Sequence, residues 1–186
     1  MDSSSDRKEG SCQVPLRTMM AKQRAIYDQK NADYGNSFHH TVERFGLIAA
    51  LVRVTDKMER IKRLQHNTAQ TKDESLRDTV SDALNYLLMF GAEMVCGTWA
   101  LAEESQVKGQ ADNITLVHRM MDALAEEELL LSEKANVDQI LELWDEMCDT
   151  TMQTMGNFTP EKVDDLLTIN HYLAGQMAAY LLQLTA

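Results

Sequence analysis

Long apolar runs are missing from this chain of 186 residues: no window approaches the roughly 18 uninterrupted apolar residues of a membrane span. Chain breakers are scarce as well. With 2 Pro and 8 Gly there is little to interrupt long helices, and many short strands joined by turns are excluded. Aromatic residues make up 6 %, so Leu, Ala, Val and 12 Met must fill most of the core, Met19-Met20 and Met120-Met121 among them. The 3 cysteines, Cys12, Cys96 and Cys148, are odd in number, far apart and not spaced as zinc ligands. Free thiols in a reducing compartment are the expectation. Met1 to Gly10 is polar and charged, without the apolar centre of a secretory signal. A cytoplasmic protein is therefore expected.

What is there is a marked charge asymmetry. Residues 1–100 hold 14 Lys/Arg against 13 Asp/Glu, whereas residues 101–186 hold 4 against 16. An acidic half argues against a nucleic-acid polymer or an anionic membrane as partner. The cations gather in Arg53, Lys57, Arg60, Lys62 and Arg63. Such a small positive island suits a phosphorylated small molecule.

The patterning predicts an all-α fold, a bundle of about five to six helices. Residues 1–12 are expected to be disordered. A first helix is predicted over 15–30, where Leu16, Met19, Met20, Ile26 and Tyr27 recur at helical spacing behind Pro15. The stretch Asn31-Ala-Asp33-Tyr34-Gly35-Asn36 should break it. A second helix is predicted over 41–65, followed by a polar linker at 66–72. A third is expected to start at a Thr71/Glu74 capping box and to run to about 104, with Gly91 and Gly97 permitting close helix contact. Three more are predicted over 114–133, over 137–155 behind Asn136, and over 160–184 behind Thr159. On this reading 13–104 is a helical core and 112–186 an acidic helical extension.

Residues three or four apart share a helix face. Asp56 and Glu59 would project together from the second helix, and Glu74, Asp78 and Asp82 would stack along the third. An antiparallel hairpin would bring the two sets face to face, as in carboxylate metal sites of helix bundles. Oxygen ligands without His point to Mg²⁺ or Mn²⁺. The plain alternative is solvated carboxylates paired with Arg60, Lys62 and Arg77 on the surface. His39-His40 are adjacent on a helix and diverge, so a metal pair is not expected from them.

Three blocks occur in order: Lys30-Asn-Ala-Asp33-Tyr34-Gly35-Asn36-Ser37-Phe38, Asp56-Lys57-Met58-Glu59-Arg60-Ile61, and Glu74-Ser-Leu-Arg-Asp78-Thr-Val-Ser-Asp82-Ala-Leu-Asn-Tyr86. Together they resemble the phage and bacterial nucleotide modification associated domain family, itself similar to the all-α NTP pyrophosphatases of the MazG and dimeric dUTPase group. The resemblance covers about 15–100. It implies a Mg²⁺-dependent enzyme cleaving a nucleoside triphosphate to the monophosphate and pyrophosphate, acting as a homodimer or tetramer. It also implies roles: Asp56, Glu59, Asp78 and Asp82 as metal ligands, and Glu59 and Glu74 as catalytic groups. Arg53, Lys57 and Arg60 would bind phosphate. Asp33, Tyr34, Asn36 and Phe38, with Asn85 and Tyr86, would take the base and sugar. The superfamily's first metal block, Glu-Glu-x-x-Glu, is reduced here to Asp56-x-x-Glu59, and Thr79 stands where the Glu of Glu-x-x-Asp would fall.

Those departures favour an alternative, a non-catalytic protein that binds and sequesters a nucleotide. A third reading is a helical adaptor whose acidic half contacts a basic partner.

Overall fold

A computed structural model describes residues 16–65, 75–96, 112–127 and 135–185. The described residues form seven helices and no strand: α1 (Leu16–Tyr34), α2 (Ser37–Phe45), α3 (Ile48–Leu64), α4 (Leu76–Cys96), α5 (Asn113–Glu126), α6 (Val137–Thr154) and α7 (Pro160–Gln183). The expected all-α fold is what is found. No helix among the described residues is long and apolar enough to cross a membrane. The expected N-terminal disorder, the 66–72 linker, Thr71, Glu74, Gly97 and Cys12 lie outside the described residues.

Several boundaries differ from expectation: α4 starts only at Leu76, behind Ser75, and α5 ends at Glu126, short of the expected 133. The first helix continues through Asn31 and Asp33 to Tyr34 and stops where Gly35 and Asn36 both turn left-handed, at φ 59° and 57°. Helical spacing of Tyr27 and Tyr34 outweighs the weak propensity of the intervening Asn and Asp. The predicted second helix is in fact two. Gly46, at φ 77°, ends α2 with its N–H donating to the Val42 carbonyl, and α3 begins two residues later. A left-handed glycine is a common way to end a helix.

Helix α4 is the axis of the fold, with α7, α3 and α5 packed directly against it. Val80, Ala83, Leu84, Leu87 and Phe90 of α4 are all fully buried. Its close neighbours need a bare backbone at Gly91, where a Cβ would sit 2.6 Å from Asn170 Nδ2 of α7 and 3.2 Å from the Met120 thioether of α5. One continuous cluster joins Met20 and Met58 to Met121, Trp144 and Met177. Most of the described methionines are core filler, as expected, although Met152 is exposed, and the C-terminal helices complete the core that the first four begin.

Sequence-local caps set several helix starts. Asn136 Oδ1 accepts from the N–H groups of Asp138 and Gln139, and Thr159 Oγ1 accepts from Lys162. Both were legible from residue type. At α4 a Ser75/Asp78 box closes the helix start: Ser75 N–H and Oγ–H donate to Asp78 Oδ2, at 3.2 and 2.7 Å, and the Asp78 N–H donates back to Ser75 Oγ at 3.2 Å. These bonds hold the Asp78 carboxyl below its ordinary value of 3.8. A depressed carboxylate contributes stability that is lost as pH falls through its folded value. Ser75→Ala should cost about 1 kcal/mol in chemical denaturation, and a loss below a few tenths would show the box to be idle.

Candidate functional site

A cavity of about 370 Å³ opens between α1, the start of α2, α3 and α4. Helix α1 supplies Tyr27, Lys30, Asn31 and Tyr34, one face at spacings of three and four. The first turn of α2 adds Ser37 and Phe38. The cap residue of that helix, Asn36, makes no side-chain capping bond. Arg53 and Lys57 come from α3, and Asp82, Asn85, Tyr86 and Met89 from α4.

The cavity's polar centre is Asp82. Its Oδ2 accepts from Lys57 Nζ at 2.9 Å, and its Oδ1 accepts from Lys30 Nζ. The Asp82 and Lys57 side chains are about one-fifth exposed, at 20 % and 19 %. Burial lowers the affinity of the Lys30 ammonium for its proton. The hydrogen bond and charge of Asp82, with Tyr86 and Tyr34, more than restore it, so Lys30 stands above its ordinary value. Two ammonium groups thus hold one carboxylate, and Arg53 lines the same cavity. Tyr86 and Phe38 stack at 5.6 Å, tilted by 31°, with Lys57 Nζ 6.0 Å above the Tyr86 ring. Tyr34 is 71 % exposed at the rim. Cationic, aromatic and amide groups together suit an anionic ligand with a flat ring.

The residues expected to bind a metal take other places. Asp56 and Glu59 are exposed on α3. Their neighbours Lys57 and Arg60, about 100° further round the helix, face α4 instead. Arg60 Nε donates to Thr79 Oγ1 at 3.3 Å. Asp78 is engaged in the α4 cap, and Asp82 lies between two lysines. Asp56, Glu59, Asp78 and Asp82 do not form the expected facing set among the described residues. Among the described residues no group of three or more His, Cys, Asp or Glu could hold a metal ion. These donors do not fit a resident divalent cation.

The base-and-sugar set divides as well. Tyr34, Phe38, Asn85 and Tyr86 line the cavity, with the phosphate candidates Arg53 and Lys57. Asp33 is exposed and Arg60 is bonded to Thr79, and neither lines it. The Asn36 carboxamide is engaged with Asn113 in a reciprocal amide pair at 3.2 and 3.1 Å. Asn36 therefore fixes the left-handed turn against α5. Lys30, Tyr27 and Asn31 had no role in the sequence reading, although their spacing to Tyr34 places all four on one face.

Behind the loop lies a polar network that residue types alone did not single out. Glu93 is 3 % exposed. It accepts from Asn113 Nδ2 at 3.4 Å, and both its oxygens lie 3.0 Å from His39 Nδ1. His40 meets Glu43 at 3.2 Å, and His39 Nε2 lies 3.5 Å from the other oxygen of that carboxylate, so the two rings do not diverge as expected. Burial pushes the Glu93 carboxyl above its ordinary 4.5, against the pull of His39 and Asn113. Burial also lifts the Tyr27 hydroxyl to about 12, aided by Asp28, Glu93 and Asp112. A carboxyl whose folded value is raised keeps its proton longer in the folded state, so stability falls as pH rises through the window above 4.5. Melting curves from pH 4 upward should show that fall, and Glu93→Gln should flatten it. An unchanged slope in the variant would clear Glu93 of the effect.

In comparison with known proteins, the family described as nucleotide modification associated domain 1 matches residues 30–92. No curated protein matches the chain, and no solved structure does. The matched stretch contains every residue lining the cavity except Tyr27.

Proposed function

We propose that the chain is a nucleotide-binding protein whose cavity takes the phosphate on Lys30, Lys57 and Arg53 and the base among Tyr34, Phe38, Tyr86 and Asn85. The observation that carries this reading is the pair of lysines on the Asp82 carboxylate, with Arg53 also lining the cavity, beside a stacked aromatic pair. The match of 30–92 to a family described by nucleotide modification supports it from an independent direction. The cavity lies at the lower end of the roughly 300–1,000 Å³ usual for small-molecule sites. One nucleotide is the scale of ligand it suits.

In this reading the chain's own groups do the binding. The ammonium groups and the guanidinium offset phosphate charge, and the half-enclosed walls strengthen that attraction relative to water. The tilted rings offer faces for stacking, and Tyr34 at the rim folds over the ligand. The second reading is the Mg²⁺-dependent pyrophosphohydrolase of the MazG type, favoured by Asp82 lying in the cavity where a metal-bridged phosphate would lie. The placement of Asp56, Glu59 and Asp78 supplies no shell for that ion, so no hydrolytic step is derived. A homodimer or tetramer belongs to the same second reading, by resemblance.

Calorimetric titration of the whole chain with nucleoside mono- and triphosphates, with Mg²⁺ and with EDTA, tests both. The expected result is binding that persists in EDTA, weakens with added salt and releases no pyrophosphate. Pyrophosphate release that requires Mg²⁺ would replace this reading with the hydrolase. Absence of binding under every condition would end both.

A further inference from the structure

Among the buried amides of the described residues, Asn85 and Asn170 each keep a side-chain oxygen without a partner, and of the two Asn85 lines the cavity. Gln23 exchanges hydrogen bonds with Ser81, its Nε2 donating to the Ser81 carbonyl and its Oε1 accepting from the Ser81 hydroxyl. Asn113 is bonded to Asn36 and Glu93, and Asn170 donates to the Leu87 carbonyl at 3.0 Å. Asn85 is 5 % exposed, yet its carboxamide makes no hydrogen bond to any described residue, and its Oδ1 is shut off from solvent. Leaving such a group unpaired costs stability that an apolar residue of the same size would not. Fully buried Leu84 and Leu88 on the same helix show what this position could have held. The carboxamide lines the cavity beside Tyr86.

Building on the nucleotide reading of this cavity, we infer that Asn85 is its base-reading residue. Held by no described residue, the carboxamide turns about its last side-chain bond to meet the edge of a nucleobase, its oxygen accepting an N–H and its nitrogen donating to the adjacent ring nitrogen or carbonyl. An Asn carboxamide meets a base edge in this paired manner. The stacked Phe38 and Tyr86 flank it, and Lys30 and Lys57 lie one helical turn away around Asp82. The ligand class is accordingly a mononucleotide with a hydrogen-bonding base, in preference to a sugar phosphate. Asn85 sets that preference, and the cations set the shared affinity for phosphate.

Calorimetry on the full chain with adenosine and uridine 5′-monophosphates, and with ribose 5-phosphate as the baseless probe, tests this. The wild-type chain should prefer at least one nucleotide to ribose 5-phosphate, and Asn85→Leu should reduce that preference about five- to tenfold. The melting temperature of unliganded Asn85→Leu should hold or rise, because an unpaired amide has been replaced by an apolar group of similar size. Asn85→Ala, which cannot clash, should lose the same preference if the leucine variant does not fold. An undiminished preference in a folded variant would overturn the role of Asn85 and leave the nucleotide site standing. A wild-type chain that binds ribose 5-phosphate as well as either nucleotide would also overturn it. Binding of none of the three probes would remove the nucleotide reading itself, and this inference with it.

Discussion

Asp82→Asn should bind a phosphate-bearing ligand about thirtyfold more tightly than the wild-type chain. In the cavity the Asp82 carboxylate occupies both lysines, with Lys57 Nζ at 2.9 Å and Lys30 on the other oxygen. An incoming phosphate must share those cations with a like charge. Two like charges 4 Å apart cost about 4 kcal/mol at the effective dielectric near a protein surface. Partial exposure of the site, at 20 % for Asp82, roughly halves that. Relief of about 2 kcal/mol is roughly thirtyfold in Kd. Asparagine keeps the shape and one acceptor, so the lysines retain a partner. The opposite outcome follows if Asp82 serves a metal: the substitution then abolishes Mg²⁺-dependent binding or turnover. One titration of the variant in EDTA and in Mg²⁺ therefore separates the two functional readings. Weaker binding in EDTA would sink the first.

Trp144→Ala should lower stability by about 3–5 kcal/mol, the usual cost of emptying a large aromatic site. Trp144 is completely buried, meets Phe90 of α4 edge-on at 6.1 Å and 78°, and donates through Nε1 to Thr55 Oγ1 of α3 at 3.2 Å. It is thus the joint between the acidic C-terminal half and the helices that build the cavity. For a chain of this size each kcal/mol shifts the melting temperature by roughly 2–4 °C, so a fall of about 10–15 °C is expected. Because one core spans both halves, unfolding should remain a single transition in the variant. Two resolved transitions would show that residues 112–186 fold as a separate unit. A loss under about 1 kcal/mol would show that the neighbouring helices collapse into the vacated space.

Much of the fold was legible because it depends on local chemistry. The caps at Asn136 and Thr159 and the apolar stripes of α3 and α4 follow from residue type and spacing within a single helix. Less local features were misread. Gly46 looked like one more residue in a long helix, and only its position between two packed segments makes it a terminator. Ser75 was passed over because Thr71 and Glu74 offered a competing capping box four residues upstream, and residue types cannot choose between two consecutive boxes.

The candidate site shows the same division. Tyr34, Phe38, Arg53, Lys57, Asn85 and Tyr86 were named from the sequence and line the cavity. Asp56 and Glu59 were named with equal reason and lie in solvent. The difference is one position on α3, about 100° of rotation. Spacing tells which residues share a face, but which face meets α4 is decided by packing. Asn36 was a good candidate by type, yet a partner 77 residues away uses its carboxamide.

By itself, then, the sequence determined an all-helical chain, its main helices, the asymmetry of its charge and several of the groups that line the cavity. Periodicity, capping and composition act within a few residues and need no partner. The tertiary structure decided that cations, and not a ring of carboxylates, surround Asp82. It also decided that Glu93 is buried under the loop, that Asn85 is left unpaired, and that the C-terminal helices close the same core. Each of these depends on which helix faces come together, and that is fixed by the burial of apolar side chains from distant parts of the chain.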